Sequence, residues 1–210
     1  MHEIINIDKV LLGYGEKNLL NLDFKIKKGD FIIVTGGNST GKSLFLKLLY
    51  MKVLPKKGNL SFLGKRITAN SKDRIVEYRK KIGVILQIDT LIPFFSVYQN
   101  IELSSEIQNK KKDFSERIDE ILDWLSLAEI KNVVVSQLST SEKQRVSIAR
   151  ALINNPNLII ADQPDANLDE QTSKKLFFLF DSINKLGTTI IVATNKLNEF
   201  QKNYKIVKLD

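Results

Sequence analysis

Apolar and polar positions alternate near the start of the chain. In NLDFKIKKGD, Leu22, Phe24 and Ile26 fall on one side and Asn21, Asp23 and Lys25 on the other. That is the period of a half-buried strand, closed by a turn at Gly29-Asp30. FIIV (31–34) and IGVILQ (82–87) are continuous apolar runs that suit strands buried on both faces. NLSFLG (59–64) predicts a short strand and turn. The period then changes: KSLFLKLLYMKVL, from Lys42, has apolar residues at helical spacing, and DFSERIDEILDWLSL places Ile118, Ile121, Leu122 and Leu125 on one helical face. EKQRVSIARALINN predicts a further helix, stopped by Pro156. A strand at 158–161, a helix near 171–185, the strand TTIIVAT (188–194) and a final YKIVKL complete the pattern. Strands alternating with helices in the second half predict a largely parallel sheet. Residues 88 to about 140 lack strong strand runs and predict a helical subdomain.

Composition narrows the chemistry. There is no cysteine, and the only histidine is His2, which argues against disulfides, thiolate zinc sites, thiol nucleophiles and histidine-based acid–base work. The net charge of +8 permits anionic partners, but the charge is scattered. Its densest run, Lys110-Lys111-Lys112, reads as a solvated helix end or loop. The N-terminus MHEIINIDKV has no basic flank ahead of an apolar core, and runs such as LFFLF (176–180) fall far short of the ~20 residues of a membrane span. The expectation is a cytoplasmic chain whose membrane contact, if any, runs through a partner.

Residues 36–43 read GGNSTGKS, matching G-x-x-x-x-G-K-[ST] between a buried strand and an amphipathic helix. Backbone N–H groups of Gly36, Gly37, Asn38, Ser39, Thr40 and Gly41 can curl around a phosphate, with the helix N-terminus and Leu44 beyond them. Lys42 supplies a point charge to the β- and γ-phosphates, and Ser43 offers a hydroxyl to Mg²⁺. The run LIIADQPDANLD (158–169) delivers Asp162 at a strand end, where phosphate-loop proteins hold Mg²⁺. Taken singly, Asp162 could be a turn acid, Tyr14 a turn aromatic between Gly13 and Gly15, Gln87 a polar turn residue, and Asp169 a helix N-cap.

Together these motifs resemble, in order and spacing across essentially the whole chain, the ATP-binding cassette (ABC) ATPase family. Gln87 resembles the family's Q-loop glutamine, which also approaches Mg²⁺. LSTSEKQR (138–145), followed by VSIARAL, resembles the signature LSGGQ or LSGGEQQR, with Ser139, Thr140 and Ser141 at nucleotide-facing positions. NLD (167–169) matches the D-loop, with Asp169 as a dimer contact, and Tyr14 stands where an aromatic stacks on adenine. RKKIGVILQIDTLIPFFSVYQNIEL looks like the subgroup of FtsE-type cell-division, lipoprotein-releasing and macrolide-export ATPases. The resemblance implies an α/β phosphate-loop domain of ABC type, with a mostly parallel core sheet, an antiparallel N-terminal β subdomain and a helical subdomain. It would be one nucleotide-binding domain over 1–210, with its core at about 1–87 and 141–210 and the helical part at about 88–140. It further implies ATP and Mg²⁺ as ligands, a homodimer or ATP-dependent dimer, and an FtsX-like membrane permease as partner on the inner face of the membrane. No nucleic-acid partner is expected, because the ABC proteins of that class carry long coiled-coil or zinc insertions. An exporter subunit and a catalytically silent switch, or degenerate half of a heterodimer, are the other readings.

The sequence departs from the family at the chemical step. The glutamate that follows the strand-end acid is Gln163, the switch histidine is Asn195, and the signature glycine pair is Thr140-Ser141. An amide orients water but does not accept its proton at neutral pH. Ser39 in place of a common glycine is expected to be harmless to binding. Gln163 either marks a degenerate site or fills a turn in an ATPase that positions water by other groups.

Overall fold

The computed structural model describes residues 3–14, 17–37, 39–86, 90–108, 113–195 and 204–209. Strands β1 (Glu3–Tyr14), β2 (Lys17–Lys27), β4 (Lys57–Phe62) and β5 (Lys65–Ile67) form an antiparallel sheet in the order β2-β1-β4-β5. Strands β3 (Phe31–Gly36), β6 (Ile82–Ile85), β7 (Leu158–Asp162), β8 (Thr189–Ala193) and β9 (Lys205–Leu209) form a parallel sheet in the order β6-β7-β8-β3-β9. The helices are α1 (Lys42–Leu49), α2 (Lys72–Arg79), α3 (Val97–Gln108), α4 (Ser115–Trp124), α5 (Thr140–Leu152) and α6 (Glu170–Lys185). Between Ile85 and Leu158 the described residues contain helices, 3₁₀ turns and one isolated bridge, Ser96 with Val134.

Period-2 alternation divides the parallel sheet between two cores. Ile32, Val34, Ile160 and Ile191 pack with α1 and the antiparallel sheet. Ile33, Ile159, Ala161 and Val192 pack with residues of α3, α4, α5 and α6. Both faces are covered, so the strands are continuous apolar runs, as a parallel sheet requires. The helix that follows β3 and the helix that opens at Thr140 therefore lie on opposite faces of one sheet.

Two helices end earlier than the sequence pattern suggests, each at an arginine. The apolar spacing after Lys42 continues to Leu54, yet α1 stops at Leu49. Met51 turns the chain at φ 60°. Arg79 Nε and Nη2 donate to the carbonyls of Tyr50 and Met51 at 3.1 and 2.8 Å. Likewise α5 ends at Leu152, ahead of Pro156. Arg117 Nε donates to the Ile153 carbonyl at 2.8 Å and Nη2 to that of Leu152 at 3.3 Å. Carbonyls at a helix end have no intrahelical donor, and a guanidinium from a remote helix supplies one. The sequence pattern also missed α2, whose only buried residues are Ile75 and Tyr78, too few to set a period.

Helix α5 approaches β6 at Gly83, where an added Cβ would lie 2.6 Å from the Ala151 carbonyl oxygen and 3.1 Å from Pro156. The opposing atom is backbone and cannot swing away. Gly83→Ala is expected to lose roughly 1–3 kcal/mol through overpacking. Urea denaturation at neutral pH measures this, and a variant as stable as the parent would mean that α5 and β6 separate at no cost.

Candidate nucleotide site

In a parallel sheet all the strands end at one edge, and the motif residues gather there. Ala193 of β8 is in register with Asp162 of β7 on one side and with Val34 of β3 on the other. Asp162 thus stands two strand spacings, roughly 10 Å, from the end of β3. Gln163 continues from β7, Thr194-Asn195 from β8, and residues 37–41 from β3 into α1.

The loop is shaped by close approach. An added Cβ at Gly36 would run into the Leu209 carbonyl oxygen and Thr40 Oγ1, and one at Gly41 would meet the Leu20 side chain at 2.9 Å. Gly41 is the N-cap of α1 in the left-handed region, φ 93°, ψ 12°, which glycine enters without a steric penalty. Ser39 also has positive φ, 65°. Thr40 Oγ1 donates to the Gly37 carbonyl at 3.0 Å. Helix α1 has no side-chain cap and no acid in its first turn, so the positive end of its dipole is not neutralised locally.

Lys42 is buried, and its Nζ donates to the carbonyls of Gly36 and Gly37 at 2.8 and 2.7 Å. It has no ion pair among the described residues. A buried ammonium held only by neutral carbonyls retains its need for an anion. Ser43 lies in the first turn of α1, half-buried, and Leu44 is buried beneath it. Asp162 is 6% exposed, and its Oδ1 is a buried acceptor without a hydrogen-bond partner. Its charge reaches Tyr50 at the far end of α1. Burial, and then the Asp162 carboxylate, push that phenol above its usual pKa, against a smaller opposing effect of Arg79.

Gln163 occupies the left-handed region, φ 47°, at a position where a side-chain-bearing residue costs roughly 1–2 kcal/mol. Its N–H donates to the Ala193 carbonyl at 2.8 Å, and its carbonyl accepts from Ala166 N at 3.1 Å. Thr194, buried, ties three segments together: its N–H donates to the Val34 carbonyl at 3.1 Å and its hydroxyl to Asp165 Oδ2 at 3.1 Å. Asn195 follows it and is exposed. Asp165 and Thr194 were missed by the sequence reading. The signal available was a third acid inside DQPDANLD, between Asp162 and Asp169.

Ser139 N-caps α5 in a capping box. Its hydroxyl accepts from Glu142 N at 3.3 Å and donates to Glu142 Oε2 at 2.6 Å, while Ser139 N donates to the same carboxylate at 2.8 Å. The Ser139 hydroxyl, then its N–H, hold the Glu142 carboxyl below its usual range. Thr140 is exposed, and the Ser141 hydroxyl lies 3.3 Å from that of Ser139. Asp169 N-caps α6, accepting from Thr172 N at 2.9 Å and Thr172 Oγ1 at 2.6 Å, and these donors depress its pKa. The structure therefore brings Gly36, Gly37, Ser39 to Leu44, Asp162, Gln163 and Asn195 to one edge. It leaves Ser139 to Ser141 on the helix across the sheet. Asn38, Gln87 and the Lys110–Lys112 run lie outside the described residues, as does the side chain of Tyr14.

A phosphate-binding loop at the end of a parallel strand, with a strand-end acid two strands away, defines the class of the chain: an α/β phosphate-loop nucleotide-binding domain. More narrowly, it belongs to the ABC transporter family, whose profile matches residues 19–166. The cell division ATP-binding protein FtsE of Bacillus subtilis is 35% identical over 195 residues, covering 91% of this chain and 86% of that protein. A dimeric ATP-binding cassette in a post-hydrolysis state with ADP and Pi superposes with TM-score 0.87 at 30% identity, covering 99% of this chain and 94% of that one. A dimeric bacterial ABC transporter cassette gives TM-score 0.88 at 32% identity, covering 98% and 94%. The α/β ABC fold expected from the motifs is thus the fold observed. Among the described residues no helix is long and apolar enough to cross a membrane.

The capping box gives a pH-dependent expectation. Ser139→Ala should lose about 1 kcal/mol at neutral pH. Glu142 has a depressed pKa when folded, so its contribution is present above its unfolded pKa and is lost as pH falls through the folded value. The gap between parent and variant should therefore shrink on acidification. Urea denaturation at a series of pH values checks this, and a pH-independent gap would rule out the carboxylate as the source.

Proposed function

We propose that the chain is the ATP-binding subunit of an FtsE-like, membrane-associated ABC complex, coupling ATP binding to a membrane partner in cell division. The observation that carries this reading is the buried Lys42 ammonium, without a counter-ion among the described residues, at the uncapped N-terminus of α1 and on the same sheet edge as Asp162. Loop 36–43 cradles the phosphates, and Lys42 exchanges its two carbonyls for phosphate oxygens. Ser43 and the unpartnered Oδ1 of Asp162 suit Mg²⁺, which takes few protein ligands and arrives with the nucleotide. Among the described residues no cluster of three His, Cys, Asp or Glu could hold an ion by itself. Gln87 would join them from its loop, and Tyr14 would stack on adenine.

The signature segment, Ser139 to Ser141, opens the helix across the sheet from α1 and would face a nucleotide held by another subunit. Two ATP molecules would be sandwiched in a dimer, as the resemblance to dimeric cassettes supports. Closure would act on an FtsX-like permease by differential affinity for open and closed states. The chain itself would sit peripherally on the inner face of the membrane. The similarity to FtsE, a cell division ATP-binding protein, supports the cell-division part of this reading.

At the chemical step, Gln163 orients water without taking its proton, and Asn195 donates a hydrogen bond without carrying charge. Losing a positioned base typically costs ~10²–10⁴ in rate. On this reading the protein binds ATP and hydrolyses it slowly, or is a silent switch.

ATP with Mg²⁺ is expected to raise the melting temperature, because a ligand that binds only the native state stabilises it by an amount that grows with the logarithm of ligand concentration over Kd. Lys42→Ala should remove most of that shift. Light scattering should show association with ATP and not with ADP. Unchanged ATP binding by Lys42→Ala would contradict the phosphate-loop assignment, and a monomer at saturating ATP, with or without the partner, the sandwich.

Steady-state phosphate release tests the substituted positions. Gln163→Glu alone is expected to give little gain, and Gln163→Glu with Asn195→His, Thr140→Gly and Ser141→Gly a gain toward ~10² or more, since groups that act as a unit are not additive. Robust hydrolysis by the unaltered protein would end the degenerate-site reading.

A further inference from the structure

A groove of about 400 Å³ runs between α5 and α6 and is walled at one end by the last turn of α4. It does not belong to the sheet edge that carries the phosphate loop. Its floor is apolar: Ile148 of α5, Leu168, and Leu176 and Leu179 of α6. Two aromatic side chains flank it in the open, Trp124 at 64% exposed and Phe178 at 73%. Large exposed aromatics beside an apolar floor are uncommon on a surface that faces only water.

The polar lining has one sign. Arg145 and Lys175 line the groove, and among its described lining residues there is no carboxylate. Among the described residues Lys175 has no ion pair. Arg145 Nε is buried without a hydrogen-bond partner, a condition that costs free energy unless something else supplies an acceptor. The acid whose charge couples to Arg145 is Glu142, and that carboxylate already accepts from the hydroxyl and N–H of Ser139.

The length of the groove selects the occupant. Its α6 wall spans Thr172 to Ser182. At 1.5 Å per residue that is a trough of roughly 15 Å, about three helical turns, between two helix ridges. A compact anion would satisfy Arg145 and leave most of the apolar floor wet. A helix with one apolar stripe and carboxylates beside it covers the floor and meets both cations.

We propose that this groove receives an acidic amphipathic helix from a protein partner. The apolar stripe of that helix packs on Ile148, Leu176 and Leu179 between Trp124 and Phe178, and its carboxylates pair with Lys175 and Arg145. The inference is independent of the ATP-site reading, since none of its test substitutions touches the phosphate loop, Asp162 or the signature segment.

Trp124 is the only tryptophan in the chain and reports on the groove directly. The probe is a synthetic helix of about 12 residues, with leucine at i, i+3, i+4 and i+7 flanked by glutamate. Saturable binding to the full chain should move Trp124 emission to the blue as the indole leaves water. Lys175→Glu and Phe178→Ala, both at exposed positions, should each weaken binding about tenfold or more, with the ATP-induced thermal shift unchanged. The same peptide with lysine in place of glutamate should not bind. No saturable shift, an equal response to the lysine peptide, or a response only to phosphatidylglycerol vesicles or to palmitate would each overturn the proposal.

Discussion

The register at Ala193 is the constraint on which the site depends. Because β7 and β3 pair in parallel with opposite edges of β8, Asp162 and the strand end that launches the phosphate loop are set at one height, two strands apart. A slip of one residue would exchange Ile190 and Val192 for Ile191 and Ala193 between the two cores, and the mismatch of side-chain volumes opposes it. The hydrogen bonds from Gln163 N to the Ala193 carbonyl and from Thr194 N to the Val34 carbonyl extend that register into the loops. The tie from Thr194 to Asp165 makes the turn after β7 and the segment before Asn195 one unit.

The same sheet separates two motifs that lie about 100 residues apart in the chain. The phosphate loop rides on α1 above one face, and the signature segment opens α5 below the other. The helix that carries Ser139 to Ser141 is anchored at both ends. The capping box with Glu142 fixes its start, and Arg117 fixes its end by taking the carbonyls of Leu152 and Ile153. The start of a helix held in this way keeps Ser139 and Thr140 exposed.

Both charge-bearing surfaces follow one rule. Lys42 and Arg145 are cationic groups with buried nitrogen atoms and incomplete partnering inside the chain, and each sits where a structural cavity or loop leaves room for something external. A buried donor left wanting an acceptor is costly, so such groups mark where the chain expects a companion. Gln163, Asn195, Thr140 and Ser141, where the sequence departs from the family pattern, fall elsewhere: the first two follow β7 and β8, and the other two open α5.

Much of this was legible in the sequence, because strand and helix periods depend only on which faces are buried. The apolar runs at 31–34, 82–87, 158–161 and 188–194 became four of the five parallel strands, and GGNSTGKS announced the loop by its own steric demands. The ends of α1 and α5 were not legible, since Arg79 and Arg117 reach them from 28 and 36 residues away in the chain. Nor were the Thr194–Asp165 tie and the groove beside Trp124, which need segments distant in sequence to meet. The sequence by itself determined most of the elements, the phosphate-loop motif and the amide at position 163, because each rests on local pattern or residue identity. Only the tertiary structure decided which side of the sheet each helix covers, and therefore which nitrogen and oxygen atoms remain buried and unpartnered, because that depends on packing across the whole chain.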